Sequence, residues 1–156
     1  MAVRVVDGVQ GLRELVGETI GPSDPIEITQ QRIDAYADVC GDYQWIHTDP
    51  ERAADQSPFG KTIAHGNLTL SLVEGIRLTL LEQRGVKMGI NYGFEKIRYP
   101  APVPVDSKLI GTVEIASVED LGGGWWHVVS RFDLRVEDAE KPSCVAESVT
   151  RLLADE

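Results

Sequence analysis

Between Asn67 and Arg84 lies the most apolar stretch of the chain, and it limits the possible folds more than any other feature. Apolar residues stand at positions 68, 70, 72, 73, 76, 78, 80 and 81. Wound as a helix they occupy more than one face, so the segment does not read as a surface helix with a single stripe. A helix apolar on most sides has to be buried on most sides. Gly85 marks its end. The rest of the chain must wrap it, and the residues that follow have the pattern of strands. Ile90, Tyr92 and Phe94 alternate, and the parity then slips to Ile97 and Tyr99, which predicts a bulge near Glu95 and Lys96. Prolines at 100, 102 and 104 exclude a central strand there. Strand character resumes from Leu109 to Val118, and residues 122–124 are three glycines that turn the chain. Trp126, Val128, Phe132, Leu134 and Val136 then alternate with polar residues. Residues 143 to 153 predict a last strand with Val145, Val149 and Leu153 on one face.

The first half is more broken. Residues 8 to 16 are read as a short helix with Leu12, Leu15 and Val16 as its contacts, and residues 21–25 as a turn. Ile26-Glu27-Ile28 is a brief extended segment leading to Thr29, a good N-cap. Behind it Ile33, Tyr36, Ala37 and Cys40 recur at helical spacing until Gly41. Asp49 caps another short helix with Pro50 at its first position, and residues 57–60 break it. Small helices, one buried helix and a run of antiparallel strands make an α+β domain. It is a single unit over residues 1–156, with a curled antiparallel sheet around a long central helix.

A net charge of -10 argues against a nucleic-acid partner and gives no support to an anionic membrane. Solubility alone accounts for it. The two cysteines, Cys40 and Cys144, are read as small buried hydrophobes in a reducing compartment. Residues 1–7 have no long apolar run and no cleavage signature, and no stretch approaches membrane-spanning length. The expectation is a cytoplasmic protein.

The chemistry concentrates in Gly41-Asp42-Tyr43-Gln44-Trp45-Ile46-His47-Thr48-Asp49-Pro50. Gly41 stops the preceding helix and Pro50 disfavours helical geometry at Asp49, so the stretch is read as an irregular loop. Trp45 and Ile46 would anchor it as buried hydrophobes, holding Asp42 and His47 in place. Singly, Asp42 is as well explained as a cap and His47 as a structural histidine. A third feature changes that weighing. His65-Gly66-Asn67 opens the buried helix, where unpaired amides and the positive dipole end lie. Gly66 permits close approach to the backbone, and an oxygen gaining negative charge would be stabilised there. An acid/base pair beside such a site suits proton transfer next to a carbonyl.

Gly41-Asp42, His47 after four intervening residues, Asp49-Pro50 and Ala53, followed by Phe59-Gly60 and Ile63-Ala64-His65-Gly66, resemble the MaoC-like dehydratases, or (R)-specific enoyl-CoA hydratases. The variant Gly-Asp-x-Gln-Trp-Ile-His is similar to the branch that includes NodN-like proteins and mycobacterial 3-hydroxyacyl-thioester dehydratases. The similarity runs from about Ile26 onward and takes in Asn91-Tyr92-Gly93 and residues 99–104. The resemblance implies a hot-dog fold and a homodimer whose sheets join edge to edge. It implies (R)-specific hydration of trans-2-enoyl thioesters, or the reverse dehydration of (R)-3-hydroxyacyl thioesters, in fatty-acid metabolism. Asp42 and His47 would be the catalytic pair around a water, and the Gly66 amide would polarise the thioester carbonyl. No metal and no redox cofactor is implied; coenzyme A or acyl-carrier protein arrives with the substrate. Many relatives have Asn-Pro after the aspartate, whereas this chain has Tyr43, Gln44 and Trp45, which leaves Gln44 as the candidate polar contact. Some relatives use a serine in the central helix; Ser71 and Glu74 are the nearest positions here, and the role is not carried over. Against the acidic background, Lys61, Lys87, Lys96 and Arg98 are the candidate cations for the phosphates of coenzyme A.

Three other readings compete. A hot-dog thioesterase would need a carboxylate on the central helix, and Glu74 is that candidate. A non-catalytic acyl-thioester binder would keep the motif as scaffold. A metal site from His47, Asp49 and His65 has a spacing that matches no recurrent ligand motif.

Overall fold

A computed structural model describes residues 3–155; Met1, Ala2 and Glu156, the ends of the unit expected over 1–156, lie outside the described residues. The elements in order are β1 (Arg4–Asp7), α1 (Gly8–Glu14), β2 (Thr19–Ile20), β3 (Ile26–Ile28), α2 (Gln30–Cys40), α3 (Trp45–Thr48), α4 (Pro50–Gln56), α5 (Gly66–Ser71), α6 (Val73–Leu80), β4 (Leu81–Arg84), β5 (Val86–Arg98), β6 (Ser107–Gly122), β7 (Trp125–Val136) and β8 (Cys144–Ala154). The main sheet is antiparallel, in the order β2-β6-β7-β8-β5, with β3 also paired to β6. The β5–β8 register shifts between Phe94 and Lys96, where the change of parity predicts a bulge. The expected caps form: Thr29 Oγ1 accepts from Arg32 N at 3.2 Å, and Asp49 Oδ1 accepts from Arg52 N at 3.0 Å. Gly41 closes α2 in the left-handed region, φ 79°.

On β7 the inner face is Val128, Ser130, Phe132 and Leu134, as the alternation predicts. On β8 the buried residues are Cys144, Ala146, Ser148, Val149 and Leu152; of the expected Val145, Val149 and Leu153, Val149 is buried and the other two are only half-buried. Cross-strand partners share a face, and Cys144, Ala146 and Ser148 pair with Leu134, Phe132 and Ser130. Bulky residues on β7 fill the interior, so small ones suffice at these three positions of β8, and Val145 is left half-buried. Burial pushes the Cys144 thiol up to about 11, as suits an inert core residue. Cys40 is exposed, contrary to the sequence reading, because α2 buries only Ile33 and Ala37 and its last turn runs past the core. Val16 is likewise exposed, whereas Leu12 and Leu15 are in the core.

The apolar segment is helical but departs from the expected single helix. It breaks at Leu72, after the Ser71 hydroxyl donates to Leu68 O at 2.6 Å and the Thr69 hydroxyl donates to His65 O at 3.5 Å. Hydroxyls that bond back to the preceding turn bend helices. It also ends at Leu80, because Leu81–Arg84 leaves the helix to pair in parallel with β1, a strand that the sequence pattern did not disclose. Nor is it covered on most sides: Ile76 is fully buried while Leu78 is 59% exposed. The helix lies across the sheet with one face open. Among the described residues no helix is long and apolar enough to cross a membrane.

A glycine lets the helix approach the sheet closely. A Cβ built on Gly111 of β6 would stand 3.0 Å from both Cδ1 and Cγ2 of Ile76 on α6. Gly111→Ala should therefore destabilise the protein by about 1–3 kcal/mol through overpacking. Denaturant unfolding measures this, and an unchanged midpoint would mean that the helix has room to move off the sheet.

Candidate active site

The stretch from Gly41 to Pro50 holds one turn of helix, α3, where the sequence predicts only loop. Pro50 constrains Asp49 alone, and the residues before it are free to turn. His47 N and Thr48 N donate to Gln44 O at 2.9 and 3.3 Å, and the Thr48 hydroxyl reaches Tyr43 O at 3.0 Å. Gln44, expected as a polar substrate contact, thus serves the turn through its backbone. Trp45 and Ile46 are only half-buried; the deep residue is His47, 6% exposed, while Asp42 is exposed. The Asp42 carboxylate accepts from Gln44 N at 3.2 Å.

The backbone of Ile63 fixes His47. Its carbonyl accepts from His47 Nδ1–H at 2.7 Å, and its amide donates to Ile46 O at 3.0 Å. The neutral ring therefore presents Nε2 as an acceptor. Gln30 Nε2 donates to His47 O at 2.7 Å, and the Thr62 hydroxyl donates to Gln30 Oε1 at 2.6 Å. Gln30 and Thr62 were not singled out from the sequence, and their residue types carry no signal of this role. The His65 ring stacks on His47, centroids 3.9 Å apart and planes 24° apart, and its Nε2–H donates to Asp42 O at 2.9 Å.

Donor atoms of Asp42, His47 and His65 all lie within 4.8 Å of one another. The metal reading named Asp49 in place of Asp42, but Asp49 spends its carboxylate on capping α4. Stacked rings aim their nitrogens along nearly parallel planes, a poor match for converging tetrahedral ligands.

Gly66 follows His65 directly and opens α5. The first in-helix bond runs from Thr69 N to His65 O at 3.2 Å, so the amides of Gly66, Asn67 and Leu68 have no acceptor within their own helix. A Cβ at Gly66 would stand 3.0 Å from the Tyr99 ring. Tyr99 thus favours glycine there, through a contact invisible in the sequence. The Tyr99 hydroxyl donates to Asn67 Oδ1 at 2.9 Å, and burial raises this phenol above its usual range, which keeps it a donor.

The other expected residues separate. Lys61 is exposed in the segment leading to His65, and Arg98 is exposed next to Tyr99. Lys87 lies near the opposite end of β5, roughly 40 Å of strand from Tyr99, and Lys96 faces Arg131 and Glu147 in a groove on the outer side of the sheet. Neither joins the site. Ser71 is bonded to its own helix, and Glu74 accepts from Arg77 at 2.9 and 2.5 Å, about two turns along from Gly66. The carboxylate that a thioesterase reading requires is therefore placed elsewhere.

A family profile described as a MaoC like domain matches residues 12–125. The chain belongs to the MaoC-like family. Over 152 residues it is 46% identical to 3-hydroxyacyl-thioester dehydratase Z of Mycobacterium tuberculosis, covering 97% of this chain and 100% of that protein. Nodulation protein N of Rhizobium leguminosarum bv. viciae is 35% identical over 141 residues, 90% of this chain and 88% of that one. The unliganded R-hydratase PhaJ1 of Pseudomonas aeruginosa matches with a TM-score of 0.66 at 26% identity, over 90% of this chain and 82% of that one. The curled sheet and its helix are the hot-dog fold of the MaoC-like proteins.

His47 gives the MaoC-like site a measurable pH signature. Burial is the largest influence and lowers its pKa below the ordinary 6.5, with His65 adding to the effect against the pull of the Ile63 carbonyl and Asp42. Unfolding exposes the ring, so the unfolded chain takes up the proton first. The stability that this ring contributes is complete above its ordinary value and falls as pH drops through the folded-state value beneath it. Thermal melts between about pH 8 and pH 5 should show that decline, and His47→Gln should flatten it. Parallel curves for the two proteins would mean that His47 is not held neutral by the fold.

Proposed function

We propose that this protein catalyses the (R)-specific hydration of trans-2-enoyl thioesters and the reverse dehydration of (R)-3-hydroxyacyl thioesters. The observation that carries the reading is His47: a buried imidazole, tied through Nδ1–H to Ile63 O, with a ring nitrogen within 4.8 Å of an Asp42 carboxylate oxygen. The 46% identity to a 3-hydroxyacyl-thioester dehydratase supports it. In the hydration direction a water is held between Asp42 and His47. His47 Nε2 takes one of its protons as the oxygen bonds to C3 of the enoyl thioester. The electrons of the double bond move onto the thioester oxygen, which the Gly66 amide stabilises. The resulting enolate then takes the proton from the imidazolium at C2, and the Asp42 carboxylate balances the charge of His47 in between. Atoms and charge return to their starting state without a metal or redox cofactor; coenzyme A or acyl-carrier protein is only the carrier. A cytoplasmic setting fits such a substrate.

A cavity of about 580 Å³ lies between α6 and the sheet, lined by Val73, Arg77, Phe94, Val128, Ser130 and Leu152 among others. Val73 is seven residues from Gly66, roughly 10 Å along the helix. The cavity offers the acyl chain a place beyond the reacting carbons.

The working unit is a homodimer formed at β5. Among the described residues this strand of 13 residues pairs only with β8, and it carries the exposed Met88, Ile90 and Tyr92 at the end of the sheet. A long apolar edge of this kind pairs with another chain unless it is covered. Sedimentation should find a dimer at micromolar concentration, and Ile90→Lys should weaken it; a wild-type monomer excludes this interface.

The assay for the activity is loss of enoyl-thioester absorbance with crotonyl-CoA, followed by chirality of the product. Asp42→Asn and His47→Gln should each lower kcat by about 10²–10⁴-fold with the fold intact. A variant that keeps a tenth of the wild-type rate removes its residue from the acid/base pair. Binding of crotonyl-CoA without turnover would instead make the protein an acyl-thioester binder.

A further inference from the structure

We infer that His65 is the positioning residue that holds Asp42 and His47 as one constellation, a role that rests on the hydratase reading above. The two acid/base groups reach the site on different supports. His47 is clamped through Ile63 and is buried. Asp42 is exposed, on the loop between α2 and α3, and the bond of its carboxylate to Gln44 N is internal to that loop. Something must hold the loop to the core at the distance the chemistry needs.

His65 has the contacts to do so. It is 4% exposed and sits at the N-cap of α5, one residue before the Gly66 amide. Its Nε2–H donates to the carbonyl of Asp42 itself at 2.9 Å, across 23 residues of chain. Its ring face lies on the His47 ring at 3.9 Å, which limits how far His47 can tilt. Tyr36 of α2 packs against His65 at 5.0 Å and supports it in turn. One imidazole therefore touches both members of the pair and adjoins the amide expected to receive the substrate oxygen. A histidine is also a poor choice for the cap: its side chain makes no capping bond, whereas Asn or Ser would. The residue is better explained by what it holds than by where it caps. Its Nδ1 is buried with no hydrogen-bond partner among the described residues, a cost that a purely structural cap would not incur.

The test uses the intact protein, crotonyl-CoA, and the variants His65→Asn and His65→Gln. His65→Asn improves the helix cap but is too short to reach Asp42 O and has no ring to stack. Its melting temperature should hold or rise while kcat falls by about 10²-fold, with KM changed by less than about threefold. His65→Gln restores a donor of greater reach and should recover at least about tenfold of that loss. A kcat for His65→Asn within about threefold of wild type overturns the inference. So does a loss that tracks a drop in melting temperature and is not recovered by Gln, since that is the mark of a purely structural residue. Absent turnover by the unmodified protein ends the hydratase reading and this role with it, whereas turnover that survives His65→Asn ends only the role.

Discussion

The active-site region hangs on the backbone of Ile63. The segment around it pairs with the proline connector, through Ala64 N to Val103 O at 2.8 Å and Val105 N to Thr62 O at 2.9 Å. Pro102 and Pro104 have no N–H to offer a further strand, so the connector pairs on one side and stops. From that rail Ile63 uses its amide on α3 and its carbonyl on His47. Two backbone atoms of one residue thus fix both the position of a helical turn and the tautomer of the imidazole it carries. A bond to a backbone carbonyl is well suited to this task, because the acceptor cannot titrate.

The fold was legible in the sequence where hydrophobic pattern decides it, and obscure where a neighbour does. Thr29, Gly41, Asp49 and Pro50 act locally, and each sits where capping chemistry puts it. The bulge after Phe94 was visible because a change of parity leaves a trace within one strand. The buried face of β8 was visible only at Val149, because its small residues Cys144 and Ala146 are chosen by Leu134 and Phe132 across the sheet. The end of the helix at Leu80 was set by β1, more than seventy residues earlier, and no local pattern in 81–84 announces a parallel partner. Within the site, Asp42, His47 and Gly66 form a recognisable motif at characteristic spacing. Gln30, Thr62 and Tyr99 do not, since each acts through a contact made across the fold.

The electrostatic setting of the site differs from that of the whole molecule. A chain with net charge -10 would favour protonation of an exposed histidine. His47 escapes this because burial outweighs the pull of the Ile63 carbonyl and Asp42, and its neighbour His65 acts in the same direction as burial. Asp42, exposed on its loop, keeps contact with solvent. The two groups proposed to exchange protons with one water are thereby given different environments, a dry one for the imidazole and a wet one for the carboxylate. The proposed roles draw on that asymmetry as much as on the identity of either residue.

Rigidity in the site comes from glycine rather than from bulk. Gly66 lets the Tyr99 ring lie against the start of α5, and Gly111 lets Ile76 press α6 onto β6. These contacts hold the helix on both sides of its break, at separations that a Cβ on either glycine would crowd. Leu72, where the helix breaks, lies between them. The hydroxyl back-bonds of Thr69 and Ser71 place the bend there, so each half can settle against its own contact without pulling the other away. The half bearing Gly66 is then fixed relative to His65 by direct succession in the chain, and His65 bonds Asp42 and stacks on His47. If the Gly66 amide meets developing charge as proposed, it has to be in place beforehand, since reorganising it during the reaction would forfeit the gain. Close packing at two glycines is what holds it ready.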